Sequence, residues 1–350
     1  MFKNRKKLFL HIGFNKTGST YIQNCLVANA DRLKRLGFLY PSAPGASYLN
    51  NNQHVPLAVV TTGASLHWMR VNPHRKLGIQ SAKDDLLAEV DNSGLRNVII
   101  SSEAFGEVTI GDEHVAKVLS HFREFDIWIV AYVRRQDHYI VSAYQEDIKN
   151  GSDRTFDLEQ ALASEQYHFF RRLKPWVKQL GGERVLIREF DRDRWVGRDL
   201  FLDFLAALGI RGDSWQLARV ANEGLDIREI ELLRRLNAQL KKQVSGKNAM
   251  RRRNQLRAVV LRAIRSVGSP SSARQKMRLS RSQAKRVAEE FLEENIQMLG
   301  VERGARFIQV SDEDVSVGTA FNQVECEEDL SIEVLLVLAQ RILKLQKEAE

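Results

Sequence analysis

The chain has 350 residues, 43% of them hydrophobic and 28% charged, ordinary globular values that exclude disorder throughout. Six prolines and 21 glycines exclude collagen-like and proline-rich architectures, and no apolar run approaches the ~20 residues of a membrane-spanning helix. Two cysteines, Cys25 and Cys326, exclude a disulfide scaffold or a cysteine-rich zinc site and fit reduced thiols in the cytoplasm.

Lys3, Arg5, Lys6 and Lys7 precede the apolar run Leu8-Phe-Leu-His-Ile12. The arrangement imitates a secretory signal, but the run contains His11, stops at Asn15-Lys16 and lacks a small-residue cleavage site. Residues 8–12 read instead as a strand buried on both faces, ending at Gly13. A polar loop follows, then a helical stretch with Ile22, Leu26, Ala30, Leu33 and Leu36 on one face, closed by Gly37. Residues 40–80 carry Pro41, Pro44, Pro56 and Pro73 with weak periodicity. They read as an excursion from the sheet, a lid or acceptor-binding segment.

Asp84–Val90 predicts a helix, and 97–101 a second buried strand ending in Ser102-Glu103. Glu113–Phe122 is helical. Residues 127–133 form a third strand, ended by Arg134-Arg135. Gln136–Asn150 is a helix closed by Gly151. Leu158–Leu180 reads as one long helix open to interruption at Pro175. Residues 184–188 are a fourth strand, and Trp195–Leu208 a helix. Alternating strands and helices predict a three-layer α/β fold with a mainly parallel central sheet. Beyond residue 215 the pattern is helical, over Ile227–Gln243, Asn254–Val267 and Ser282–Leu299. The chain thus divides into an α/β core (1–215), a basic helical region packed on it (216–300) and an acidic segment ending in a helix (301–350).

The net charge of +9 is regional. Lys241–Arg286 holds 15 basic residues and no acidic one, leaving 38 basic against 44 acidic elsewhere. Such a run points either to an anionic partner, whether membrane surface, nucleic acid or acidic glycan, or to a solvated helical face. Leu256, Val259, Val260, Ile264 and Val267 form an apolar stripe among these arginines. It fits an interfacial helix or an ordinary helix packing on its domain.

The sharpest signal is Gly13-Phe-Asn-Lys16-Thr17-Gly18-Ser19-Thr20, between a buried strand and a helix. Backbone N–H groups in such a loop form an anion nest, and the helix start adds partial positive charge. Lys16 supplies a full charge, Thr17, Ser19 and Thr20 supply hydroxyls, and Gly18 permits close approach. A Walker A loop would end in Gly-Lys-Ser/Thr, whereas here the lysine stands two residues before the glycine.

Lys16-Thr-Gly-Ser-Thr-Tyr21 resembles the 5′-phosphosulfate loop of sulfotransferases that use 3′-phosphoadenosine 5′-phosphosulfate (PAPS). Val133-Arg134-Arg-Gln-Asp-His-Tyr-Ile-Val-Ser142 resembles their 3′-phosphate motif, an arginine at a strand end and a serine eight residues later. Arg135-Gln136 replaces the usual Asn-Pro. The resemblance covers roughly residues 7 to 210 and is nearest to a bacterial branch. Asn222-Glu-Gly-Leu and Glu231-Leu-Leu-Arg-Arg-Leu-Asn237 are also similar to that branch. It implies a P-loop-type fold, PAPS as donor, 3′,5′-ADP as product and metal-free in-line transfer to a carbohydrate or glycolipid hydroxyl. It further implies Lys16 at the departing oxygen, Lys16, Thr17, Gly18, Ser19, Thr20, Arg134 and Ser142 on the nucleotide, and Tyr21 beside adenine.

Arg134 could grip a terminal phosphate by two parallel hydrogen bonds. Two residues compete as base for the acceptor proton. Glu103 directly follows a buried strand, and His54 lies in the excursion. The alternatives are a structural carboxylate for Glu103, an exposed loop imidazole for His54 and core packing for Tyr21. The alternative functions are a P-loop kinase or NTPase, and a non-catalytic module that docks on membrane or nucleic acid through 241–286. The leading reading is a cytoplasmic enzyme with no specific nucleic-acid partner, its basic run being either a solvated face or a peripheral contact with the inner membrane surface.

Overall fold

The computed structural model describes residues 5–42, 52–64, 81–219, 225–246, 248–267, 275–307 and 309. In chain order the elements are β1 (Lys6–Ile12), α1 (Ser19–Ala28), α2 (Ala30–Arg35), β2 (Phe38–Leu39), α3 (Val55–Thr62), α4 (Ala82–Ser93) and β3 (Asn97–Ser102). After a 3₁₀ turn at Glu103–Gly106 come α5 (Asp112–His121), β4 (Phe125–Val133), α6 (Gln136–Lys149), α7 (Leu158–Leu162), α8 (Phe169–Leu180), β5 (Val185–Glu189) and α9 (Leu200–Ala207). The helices α10 (Ile227–Gln243), α11 (Ala249–Val267), α12 (Arg281–Leu299) and α13 (Val301–Phe307) follow. None of the described helices is long and apolar enough to cross a membrane.

The five strands form one parallel sheet in the order β2-β3-β1-β4-β5. β1 lies at its centre, with Phe9 opposite Ile99 on one side and Trp128 on the other. Leu8 to Ile12 are all buried, because parallel strands covered on both faces have no solvent side. Phe9, Ile99, Val130 and Tyr132 pack with Ile22, Leu26, Phe201 and Phe204 of α1 and α9. The intervening residues, Leu8, Leu10, Ile100 and Ile129, are buried on the opposite face, and α8 packs against β4 and β5. From β1 the chain runs to β2 and β3 on one side, and from β4 to β5 on the other. The topological switch point therefore lies at the carboxyl ends of β1 and β4.

Several boundaries differ from the sequence reading for local reasons. The stretch beginning at Ile22 is two helices, because Asn29 donates to the Cys25 carbonyl (2.7 Å) and to the Gln216 carbonyl (2.8 Å). β2, missed in the sequence, is two residues long and too short to show a period. The stretch 158–180 breaks before Phe169, and the helix runs through Pro175. Glu294 holds the His168 ring and the Phe170 N–H at once (2.7 and 2.8 Å), capping α8 with a side chain. Part of the 40–80 excursion is α3, whose residues are nearly all buried. A helix covered all round shows no amphipathic stripe, which is why its periodicity is weak. Residues 43–51, 65–80 and 222–224 and the acidic segment from 310, with Cys326, lie outside the described residues.

The described residues fall into two compact units. One draws on described residues within 5–135, 164–219 and 293–307, the other on those within 136–163 and 225–292. The second unit uses two of its arginines internally. Arg257 is buried, donating to Asn237 Oδ1 (2.9 Å) and to the Lys149 carbonyl at the end of α6. One turn earlier, Arg253 Nε donates to the Val244 carbonyl at the end of α10 (2.9 Å). Such contacts satisfy carbonyls that a helix end leaves over. Leu256, Val259 and Val260 are buried, so this part of the stripe packs on the protein and is not an interfacial face.

In the first unit, Asp203 of α9 is 1% exposed and accepts from Tyr132 OH (2.7 Å), Arg188 Nε (3.0 Å), Arg188 Nη2 and the Val196 N–H. This pins β4, β5 and α9 together. Asp203→Ala leaves a buried hydroxyl and a guanidinium without their acceptor and is expected to cost about 3–5 kcal/mol. A fall of that size in the unfolding free energy from urea titration checks this, and an unchanged value refutes it.

Candidate active site

The loop after β1 is built around one carbonyl. Phe14 O accepts from Thr17 Oγ1 (2.7 Å), Thr17 N–H (3.4 Å) and Ser19 Oγ (3.4 Å). Two of the hydroxyls expected on phosphate thus donate inward, and Thr17 and Ser19 are buried. Thr20, on the first turn of α1, is exposed. Lys16 and Gly18 hold φ of +62° and +77°, curling the backbone as an anion nest requires. For Lys16 that conformation costs on the order of 1–2 kcal/mol, the kind of local strain that collects at functional sites. A methyl group on Gly18 would collide with Leu200 and lie 2.9 Å from Phe190 Cε2. α1 begins directly after Gly18 with no side-chain cap, so its positive end faces the loop.

Arg134, at the end of β4, donates from Nη1 to the Lys16 carbonyl (3.1 Å), and its guanidinium lies 5.4 Å from the Phe190 ring centre. The two elements at the switch point are thereby joined. Phe190 has no mark in the sequence beyond being an aromatic residue directly after the strand Val185–Glu189. Tyr21 donates to Asp199 Oδ2 (2.7 Å), while Asp199 Oδ1 caps α9 at the Phe201 and Leu202 N–H groups. Burial and this contact push the Tyr21 phenol well above its usual range. Ser142 lies half-buried on α6, in the second unit.

Glu103 opens the 3₁₀ turn after β3 and is half-buried. Ser102 Oγ accepts from the Ala104 N–H (3.2 Å) and caps the turn. Because Ile12 is in register with Ser102, Glu103 stands beside the start of the loop. A Cβ on Gly13 would meet Glu103 Cγ at 2.9 Å and Ser19 Oγ at 2.5 Å. Lys16, Glu103 and Arg134 therefore all sit at the carboxyl edge of the sheet, just past the ends of the three central strands.

His54 is fully buried, not the exposed imidazole weighed against the base assignment. Its Nε2–H donates to the Pro41 carbonyl (3.0 Å), and its Nδ1 accepts from the Ser101 N–H (3.2 Å). Its own N–H donates to the Ser101 carbonyl (2.8 Å). Both ring nitrogens are thus engaged with backbone, and burial pulls the pKa down to about 4. His11 lies beneath the loop on the same network. Its Nδ1 is 2.8 Å from Ser101 Oγ, which also accepts from Gln23 Nε2 (3.1 Å), and burial lowers its pKa to about 3. Among the described residues, no three His, Cys, Asp or Glu side chains are grouped to hold a metal ion.

No protein-family model matches the chain. An uncharacterized protein of Archaeoglobus fulgidus is 28% identical over 148 residues, 41% of this chain and 39% of its own length. The chain therefore aligns with well under half of that curated relative. Among solved structures, the chain is similar to a sulfotransferase from Alicyclobacillus acidocaldarius (16% identity, 71% of this chain and 99% of that one, TM-score 0.38). It is also similar to the sulfotransferase domain of the Synechococcus PCC 7002 olefin synthase (15%, 73% and 96%, TM-score 0.34). A third is the sulfotransferase domain from the curacin biosynthetic pathway (13%, 71% and 96%, TM-score 0.38). Likeness at this level assigns neither a donor nor an acceptor.

The two buried histidines make stability depend on pH. Unfolded, each takes up a proton near pH 6.5, whereas folded, His54 resists protonation down to about pH 4 and His11 to about pH 3. Their contribution is complete above pH 6.5 and is lost as the pH falls toward 4, by about 1.4 kcal/mol per unit per histidine. Thermal melts from pH 7.5 downward should show a steep loss of Tm below pH 6.5. His54→Gln should flatten that slope, and an equal slope in the variant refutes the assignment.

Proposed function

We propose that the chain is a sulfotransferase that moves the sulfuryl group of PAPS to a hydroxyl. The carrying observation is the hydrogen bond from Arg134 to the Lys16 carbonyl at the switch point. It joins a lysine-bearing loop, set before an uncapped helix start, to a strand-end arginine suited to a second phosphate. The lysine and the strand-end arginine of the two sequence motifs belong to those elements, and the spacing of the loop departs from that of a Walker A kinase or NTPase.

In this reading the acceptor oxygen attacks sulfur as the bond from sulfur to the bridging phosphate oxygen breaks. 3′,5′-ADP leaves with that electron pair, and the acceptor proton passes to Glu103. Lys16 stabilises the charge that develops on the departing oxygen. Glu103 is preferred to His54 as base because it stands beside the loop, while both nitrogens of His54 are occupied and its pKa is too low for the task. A carbohydrate or glycolipid acceptor rests on the sequence resemblance.

Titration calorimetry with 3′,5′-ADP, 5′-AMP and ATP tests the reading. The 3′,5′-bisphosphate should bind best, and ATP binding in its place supports the NTPase alternative. Lys16→Ala should slow transfer by about 10²–10³-fold, as loss of a charge-stabilising donor does. Arg134→Ala should weaken 3′,5′-ADP more than 5′-AMP, although both should suffer because Arg134 also braces the loop. Glu103→Gln should keep donor affinity and lose about 10²–10⁴-fold in turnover. Near-normal turnover in that variant removes Glu103 as the base.

A further inference from the structure

We infer that Arg172 is a positioning residue that locks the Glu103 turn against the phosphate loop. The inference rests on the functional reading above only for what the locked elements do. Arg172 lies on the first turns of α8. Its Nε donates to the Gly106 carbonyl (3.0 Å), its Nη2 donates to the same oxygen, and its Nη1 donates to the Gln166 carbonyl (2.6 Å). Its guanidinium carbon lies 4.3 Å from the ring centre of Phe14, and Phe169 packs on Phe14 at 5.0 Å. A single cation therefore touches the last residue of the turn that begins with Glu103 and the side chain of the loop residue whose carbonyl organises Thr17 and Ser19.

Gly106 has no freedom in this arrangement. A Cβ there would fall 2.6 Å from the Gly13 carbonyl oxygen and 3.2 Å from the Phe14 ring. Turn and loop are thus in close contact, and Arg172 holds the Gly106 carbonyl while resting on the Phe14 ring beside that contact. The start of the turn is held separately, two residues upstream, where His54 binds both the N–H and the carbonyl of Ser101. Glu103 lies between these two anchors. A fork of fixed geometry is needed for this task, because it meets one carbonyl with two N–H groups while its plane rests on a ring. A lysine ammonium has the charge but cannot do both. Small displacements of a reacting group are costly, on the order of 10²-fold for about 1 Å, so the anchor should be visible in binding and turnover.

The test compares wild type, Arg172→Lys and Arg172→Ala, with the lysine variant serving if the alanine variant does not fold. Amide hydrogen exchange needs no ligand. Residues 13–20 and 103–106 should lose protection together in Arg172→Lys, with β4 and β5 unchanged. Affinity for 3′,5′-ADP should fall about tenfold or more in Arg172→Ala, since a displaced loop presents its donors off line. Millimolar guanidinium should restore part of it in Arg172→Ala and none in Arg172→Lys, where the ammonium fills the space. Unchanged exchange at 13–20 overturns the inference, as does a uniform loss of protection across the unit with no guanidinium rescue. If wild type binds no 3′,5′-ADP, the sulfotransferase reading fails, while the exchange data still decide whether Arg172 holds turn and loop together.

Discussion

The site depends on how closely two stretches of backbone pass each other where the sheet ends. Gly13 leaves β1 and Gly106 ends the turn after β3; a Cβ on Gly106 would run into the Gly13 carbonyl, and one on Gly13 into Ser19 and Glu103. That approach is possible only because β1 and β3 are neighbours in register up to Ile12 and Ser102, so their exits start level. Everything chemical follows from it. Glu103 is delivered beside the loop, and the Phe14 carbonyl turns inward to gather Thr17 and Ser19. The strained φ of Lys16 is held by the hydrogen bonds around it, as persistent strain must be.

Beneath this edge the protein buries polar groups that a core would ordinarily avoid. His11, Ser101, Gln23 and His54 interlock under the loop. Tyr132, Asp203 and Arg188 interlock further along the sheet. Each network ties a strand to an element packed on it through directional bonds, which apolar packing alone does not supply. Among the described residues, His11 Nε2 is one of the buried atoms left without a partner; its ring packs against Tyr132 and Phe204 edges. The histidine is thereby held neutral, and the platform under the loop is charge-free, so the positive groups above it are not offset from below.

Much of this was legible from residue patterns. The four longer strands could be read because central parallel strands are runs of apolar residues bounded by polar loops. The loop could be read because Lys, Gly and hydroxyl residues follow such a strand. The arginine at the end of β4 could be read by position. Other features left no such trace. β2 is too short, and α3 is buried on every side and so has no stripe. The break before α8 is made by Glu294, more than a hundred residues away in sequence. Nor does anything in residues 136–163 mark them as belonging with 225–292.

The basic run shows the same limit. Its 15 cations read alike in one dimension, yet Arg253 and Arg257 are spent on helix ends while Arg251 and Arg252 are exposed. Local composition and periodicity by themselves determined the α/β alternation, the lysine- and hydroxyl-bearing loop after the first strand and the residues at strand ends, because each is set by neighbours within a few positions. Tertiary structure alone decided that Thr17 and Ser19 donate inward, that Tyr21 serves Asp199, that His54 is sealed and neutral, and that Arg172 reaches the turn beside the loop. Those outcomes depend on which distant carbonyl or carboxylate lies within about 3 Å, a hydrogen-bond reach that no sequence spacing encodes.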